Sequence, residues 1–220
     1  FKDYSPKLGI LGSHWAGVKH FKSFLTSPYF FRILKNTLNI SLQTLIFGFP
    51  APIILALLIN EIGSKRFAKL SQTVTYLPHF ISLVVVCGMI KSFTMNNGFI
   101  NDILVTLTGG HWQPVSMLNE PKYFVPIYVI TNIWQEVGWG SIIYLSALAG
   151  IDQELYEAAT IDGAGRWRQT LNVTLPGILP MVVIMLILRI GGLLNVGYEK
   201  IILLYNEATR ETADVISTFV

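Results

Sequence analysis

Charge is what this sequence has least of. Of its 220 residues only 13% are Asp, Glu, Lys or Arg, against about 25% in an ordinary soluble domain. So few charges cannot cover the surface of a water-facing protein of this size. With 52% hydrophobic residues and a mean hydropathy of +0.52, the composition excludes a soluble enzyme, scaffold or receptor and leaves an integral helical membrane protein. Cysteine is scarcer still. Cys87 stands alone in an apolar stretch, so there is no intrachain disulfide framework and no thiolate metal site, and it reads as a small buried apolar residue. Catalytic signatures are missing as well: no His-Glu-x-x-His, no paired intramembrane aspartates, no Ser and His couple and no Gly-x-x-x-x-Gly-Lys-Ser/Thr phosphate loop. The net charge of +3 is spread along the chain rather than gathered into a run, which gives nucleic-acid binding no support. Residue 1 is Phe, with no charged region and short apolar core behind it, so the chain reads as a piece of a longer protein.

The few charges outline what is present. A helix needs roughly 20 apolar residues to cross the hydrocarbon core. Asn36 to Asn60 is uncharged, as is Leu70 to Ile90; Tyr123 to Ile151 holds only Glu136, and Gln169 to Tyr198 holds only Arg189. Four transmembrane helices are predicted, the last starting near Pro180. Gly48, Pro50 and Pro52 remove backbone donors from the first, which should kink it within a bundle. Trp15 to Phe31 sets Trp15, Val18, Phe21 and Leu25 on one helical side and Lys19 and Lys22 towards another, the pattern of an amphipathic helix lying in the interface. Residues 91–122, with Asn96, Asn97, Gly98, Gly109 and Gly110, read as a polar loop containing a short helix.

Residues 152–178 form the most informative connection. Asp152 is placed as an N-cap for a helix over Gln153 to Ile161, rich in Glu and Ala. Gly163 and Gly165 end it, Arg166 restarts a helix, and Pro176 marks re-entry into the membrane. A plain connector is one reading of such a loop. The small residues Ala158, Ala159, Gly163, Ala164 and Gly165, with Glu157 and Asp162 at their edge, favour a docking knob that lets another protein's surface approach closely.

This pattern resembles the permease subunits of binding-protein-dependent type I ABC importers, whose loop reads Glu-Ala-Ala, three residues, Gly, nine residues, Ile, one residue, Leu-Pro. Glu157, Ala158, Ala159, Gly163, Val173, Leu175 and Pro176 stand at those spacings, with Val173 in place of Ile, and Asp162 and Ala164 extend the match. Phe1 to Tyr4, Trp15 with Gly17 and Phe21, Asn36 with Thr37, Trp134 to Gly140 and Tyr205 to Val215 resemble the carbohydrate branch, in particular its oligosaccharide and polysaccharide members. The resemblance implies an all-α transmembrane bundle of the MetI-like fold, a single permease domain over 1–220 containing core helices two to five of six. It implies a periplasmic or interfacial segment at 1–32 and a cytoplasmic coupling loop at 152–178, in the cytoplasmic membrane of a bacterium. Glu157, Ala158, Ala159, Asp162, Gly163 and Ala164 would meet the ATPase. Implied partners are two ABC ATPase subunits holding ATP and Mg, a second homologous permease chain, an extracytoplasmic substrate-binding protein, a carbohydrate substrate and membrane lipid. The chain itself would carry no cofactor and catalyse no chemistry.

Orientation sets two arguments against each other. With 152–178 cytoplasmic, Lys65, Arg66, Lys69, Arg166 and Arg168 lie inside, while Lys2, Lys7, Lys19, Lys22, Arg32, Lys35, Lys91, Lys122, Lys200 and Arg210 lie outside. The positive-inside rule taken alone favours the reverse. The motif carries more weight, because both termini are missing from the count and several outside charges sit on the interfacial segment.

Glu136 and Arg189 sit in mid-span at overlapping depths, where a charge faces a partner or an aqueous path. They are predicted to pair across adjacent helices, as a structural pair or as substrate or gating contacts. Trp134, Gln135 and Trp139 flank Glu136, and aromatic faces with amides suit sugar rings; packing or interface anchoring is the alternative. His79, after Pro78, reads as a core residue, with no second His or carboxylate near it in sequence. The competing function is an ion-coupled secondary transporter, suggested by Glu136 and the break at Gly48 to Pro52.

Overall fold

In the computed structural model, which describes residues 2–219, the chain opens with a two-stranded antiparallel hairpin, β1 (Lys2–Asp3) on β2 (His14–Trp15), around a single turn α1 (Gly9–Gly12). Asp3 ties the hairpin to α2 (Lys19–Leu25) by accepting from Lys19 at 2.8 Å. The amphipathic helix expected over Trp15 to Phe31 is therefore shorter than its pattern. Gly17 takes a positive φ of 58° ahead of α2, and the Ser27-Pro28 turn ends it. The apolar residues Trp15, Val18, Phe21 and Leu25 are all exposed. Phe1 lies outside the described residues.

α3 (Phe30–Gly48) and α4 (Pro50–Asn60) run on through Phe49, whose φ and ψ remain helical. Pro50 sits at the first position of α4, where its missing N–H is tolerated, so the predicted kink is a junction between two nearly continuous helices. α5 (Lys65–Tyr76), N-capped by Ser64, ends at a 3-10 turn over Leu77–Phe80. α6 (Leu83–Thr94) starts afresh. The span expected over Leu70 to Ile90 is thus broken, and Pro78 supplies the reason. α7 (Phe99–Leu107) is the short helix expected within 91–122.

α8 (Pro121–Ala149) is 29 residues long, roughly 43 Å at 1.5 Å per residue. α9 (Gln153–Ile161), α10 (Arg166–Gln169), a π-helical turn over Thr170–Thr174 and α11 (Leu175–Gly191) follow. α12 (Tyr198–Leu204), α13 (Arg210–Ala213) and α14 (Ile216–Phe219) close the described chain. The fourth span begins at Leu175 rather than near Pro180, because Pro176 falls in its first turn and Pro180 is accommodated inside it. Among the described residues the runs Phe30–Asn60, Leu83–Leu107 and Arg166–Gly191 are long and apolar enough to cross a membrane. α8 is long enough but carries Asn132, Gln135 and Glu136 along its middle.

α8 is the central element, packed along α3 and α4 and touching α5, α11 and α13. One apolar cluster joins Phe124, Val125 and Tyr128 of α8 to Val86 and Ile90 of α6 and to Ile201 and Leu204 of α12. A second, at the other end of α8, joins Tyr144 and Leu148 to Ala56 and Ile178. In lipid, where burying apolar area drives helix association weakly, close approach and hydrogen bonds do more. Gly138 supplies the approach: a Cβ there would run into the Thr75 carbonyl of α5. Asn36 and Thr37 supply hydrogen bonds. Asn36 Nδ2 donates to the carbonyls of Glu211 (2.8 Å) and Asp214 (3.0 Å), and Thr37 Oγ1 accepts from Ile216 N (3.0 Å), fastening α3 to α13 and α14. Buried Asn101 of α7 ties together the segments on both sides of that helix, donating to Met95 and Val115 carbonyls and accepting from Trp112 Nε1.

Candidate functional site

The knob at 152–178 folds as its residues direct. The Asp152 carboxylate accepts from Glu154 N at 3.0 Å, satisfying one of the free donors at the start of α9. Gly163 takes a φ of 76° after the helix, and Gly163 N and Ala164 N return to the carbonyls of Thr160 and Ala159, the glycine-ended C-terminus that leaves no carbonyl stranded. Gln169 Nε2 then donates to Thr160 Oγ1 and to the Ala164 carbonyl, each at 3.0 Å, and the hydroxyls of Tyr156 and Thr174 lie 3.0 Å apart. These braces tie α9 to α10 and to the π-turn that leads into α11. The turn at 150–152 is held equally closely, for a Cβ on Gly177 would meet the Ile151 side chain.

Glu157, Ala158, Asp162 and Gly163 are exposed on this braced unit, with Ala159 and Ala164 half-buried beside them. Around them stand Leu155, Ile161 (87% exposed) and Trp167 (74% exposed). Large apolar side chains thus stand exposed on a small, otherwise polar knob.

Midway along α8 a second constellation forms. Three cavities of about 180, 420 and 490 Å³ meet at Asn132, which lines all of them. Glu136 and Arg189 both line the middle one, with Trp139 and Pro52. They do not pair. Glu136 Oε2 instead accepts from His79 Nδ1 at 3.1 Å, and no ion pair or hydrogen bond holds Arg189 among the described residues. His79 lies flat on Trp139, ring centroids 4.6 Å apart and planes 2° from parallel, with Phe80 edge-on to the same indole. His79 and Glu136 are 57 positions apart, and the break after α5 brings the imidazole to α8. Gln135 is buried and lines the third cavity with Glu136. Trp134 lines none of the three; it is 43% exposed.

The sequence reading passed over several lining residues. Ser41 and Thr44 of α3, on the first cavity, have buried hydroxyl oxygens without hydrogen-bond partners. Lys200 of α12 lines the third, 4% exposed, its Nζ 5.4 Å above the Tyr128 ring and without a hydrogen-bond partner. Burial pushes its ammonium down to about 8, against the opposing pull of Cys87 and Glu136. Hydroxyls in a membrane helix gave no signal, and Lys200 lay just outside the charge-free window. Among the described residues no group of three His, Cys, Asp or Glu could hold a metal ion.

Comparison with known proteins gives this architecture its context. Protein LplB of Bacillus subtilis is 46% identical over all of this chain and 69% of its own length. The polygalacturonan/rhamnogalacturonan transport system permease protein YteP of the same organism is 45% identical over all of this chain and 68% of its own. A crystal structure of a bacterial ABC transporter involved in the import of the acidic polysaccharide alginate superimposes with a TM-score of 0.88 at 47% identity, covering 93% of this chain and 71% of that one. These likenesses bear out the MetI-like all-α fold and decide against an ion-coupled secondary transporter. Residues 48–197, which contain α8, the whole knob and most of the cavity lining, match the binding-protein-dependent transport system inner membrane component family, and the chain belongs to that family of multi-pass ABC importer permeases.

Proposed function

We propose that this chain is the transmembrane subunit of an ATP-driven importer of oligosaccharide. Its cavities form part of the sugar path, and residues 152–178 couple them to two ATPase subunits on the cytoplasmic side. A single observation carries the proposal: α8 lines the cavities at its middle and ends at Ala149, with only three residues between it and α9, which begins the braced knob. A push on α9 is therefore delivered to the helix that holds Asn132, Glu136 and Trp139. ATP binding would close the ATPases, and the knob would pass that motion on as a rigid-body rotation between inward-facing and outward-facing states.

The saccharide reading rests on the lining. Trp139 offers a ring face, Asn132 and Gln135 offer amides, and Glu136 and Arg189 offer a charged acceptor and donors. That mixture of one apolar plane with convergent polar groups suits hydroxyl-rich rings. The relatives agree: YteP is a transport permease for polygalacturonan and rhamnogalacturonan, and the alginate importer has been solved with a periplasmic protein carrying an alginate pentasaccharide. By analogy, a substrate-binding protein would deliver sugar to the face formed by 91–122 and 199–219. A second permease chain would complete the path, leaving ATP and Mg to the partner ATPases.

Reconstitution tests the proposal. The importer assembled with its ATPases, second permease and binding protein in proteoliposomes should accumulate labelled oligosaccharide only when ATP is supplied. Equal accumulation without ATPase subunits would overturn it.

A further inference from the structure

The third cavity contains a group that the sugar path as described leaves unused. Lys200 is nine-tenths buried, yet its Nζ makes no hydrogen bond. A lysine ammonium has three N–H donors, and an unpaired buried charge is costly enough that such groups are normally neutralised or matched. Tyr128 gives partial support, its ring face 5.4 Å below the nitrogen, which steadies the cation without using its donors. Glu136, on the same cavity, has its Oε2 held by His79 and makes no ion pair with Lys200 among the described residues. Glu199, the other acid on this cavity, is exposed. Across the junction at Asn132, Arg189 also lines the path without an ion pair among the described residues. Two cations therefore reach one continuous path with their donors unspent.

Resting on the reading of these cavities as a saccharide path, we infer that Lys200 is a specificity-determining residue that takes the carboxylate of an acidic sugar. The permease is thereby built for uronate-containing oligosaccharides rather than neutral ones. A uronate carboxylate accepts from the ammonium in a charge-assisted hydrogen bond, about twice as strong as a neutral one. A neutral sugar presents a hydroxymethyl group at the same position and leaves the charge largely unmatched. Discrimination by a site whose polar group stays unpaired with the wrong ligand is stronger than discrimination by shape. Arg189 is placed to meet a second carboxylate further along a chain of such residues.

The test is equilibrium dialysis of labelled trigalacturonate and of galactotriose, which differ in carboxylate against hydroxymethyl. The solubilised importer is used with its ATPases and second permease, without the binding protein, so that only the membrane path is read. Wild type should bind trigalacturonate at least about tenfold more tightly than galactotriose. Lys200→Met should close that gap while leaving galactotriose unchanged, and Lys200→Arg should keep it. A gap that survives in Lys200→Met, the absence of a gap in wild type, or an equal loss of both sugars in Lys200→Met would overturn the inference. If neither sugar binds while ATP-dependent oligosaccharide uptake persists, the inference falls and the permease reading stands. Failure of uptake as well would remove that reading with it.

Discussion

At the scale of single residues the account turns on how a few polar side chains are partnered. Glu136→Gln keeps an oxygen that accepts from His79 Nδ1, so the packing of α8 on the 77–80 turn should hold. The charged acceptor is lost from the cavity. Uptake is expected to fall about tenfold, equivalent to about 1.4 kcal/mol, with assembly on a sizing column unchanged; a variant that fails to assemble would give Glu136 a structural role instead. Lys200 adds a pH dependence. Its ammonium is charged at neutral pH and loses the proton near 8, so capture of an acidic sugar should be present at pH 7 and largely gone by pH 9.5, measured by the same dialysis, with galactotriose as control. Stability runs the other way. Between about 8 and the ordinary 10.5 the unfolded chain holds the proton that the folded chain has shed, so folding gains stability as pH rises through that window. His79, Glu136 and Glu199 on the same cavity, and Cys87 and Tyr128 packed against it, also face Lys200, and substituting Lys200 separates their contribution. Two of these residues, Glu136 and Arg189, were legible in sequence as lone charges within apolar windows. The partner of Glu136 was not, because His79 reaches it from another element through a turn that no spacing rule reports.

At the scale of elements, the first and last windows between charges fall within the apolar runs Phe30–Asn60 and Arg166–Gly191, and the motif marks the knob. The boundaries moved where proline chemistry intervened: Pro78 breaks what hydropathy joined, and Pro176 starts α11 earlier than apolar content suggested. α2 is shorter than its amphipathic pattern, since Gly17 and Pro28 bound it. The packing that matters most is set by one missing side chain. Gly138→Val would drive a branched Cβ into the Thr75 backbone carbonyl, which cannot give way as a flexible side chain can. Such overpacking ordinarily costs about 1–3 kcal/mol, and here α5 must separate from α8. Loss of assembled complex in membranes is the expected readout, and wild-type yields with normal uptake would contradict that account of the helix pair. In the knob, Gly163→Val forces a branched residue into left-handed backbone, at a cost of about 1–2 kcal/mol. It should loosen α9 and lower ATPase capture while sparing saccharide binding at α8, a separation that pull-down and dialysis read independently.

At the scale of the whole molecule, α8 joins two regions that lie apart in sequence, the polar cavities at its middle, proposed as the sugar path, and the braced knob at 152–178, proposed as the ATPase dock. The low charge content announces the membrane, and the positions of those charges outline two of its apolar runs, Phe30–Asn60 and Arg166–Gly191. How the spans close around a polar path depends on long-range contacts, such as Asn36 with 211–214 and Asn206 Nδ2 with the Leu118 carbonyl at 2.9 Å, which lie beyond any local pattern. Orientation is the claim on which the rest depends, because charge counting and the motif oppose each other. The most direct measurement is therefore cysteine chemistry on the knob in the full-length importer on a background lacking Cys87. Ala159→Cys should crosslink to the co-purifying ATPase, and Gly165→Cys should resist an impermeant thiol reagent applied outside intact cells. Labelling of Gly165→Cys from outside, or failure of Ala159→Cys to capture any ATPase, would contradict the coupling role of α9 and the importer mechanism built on it.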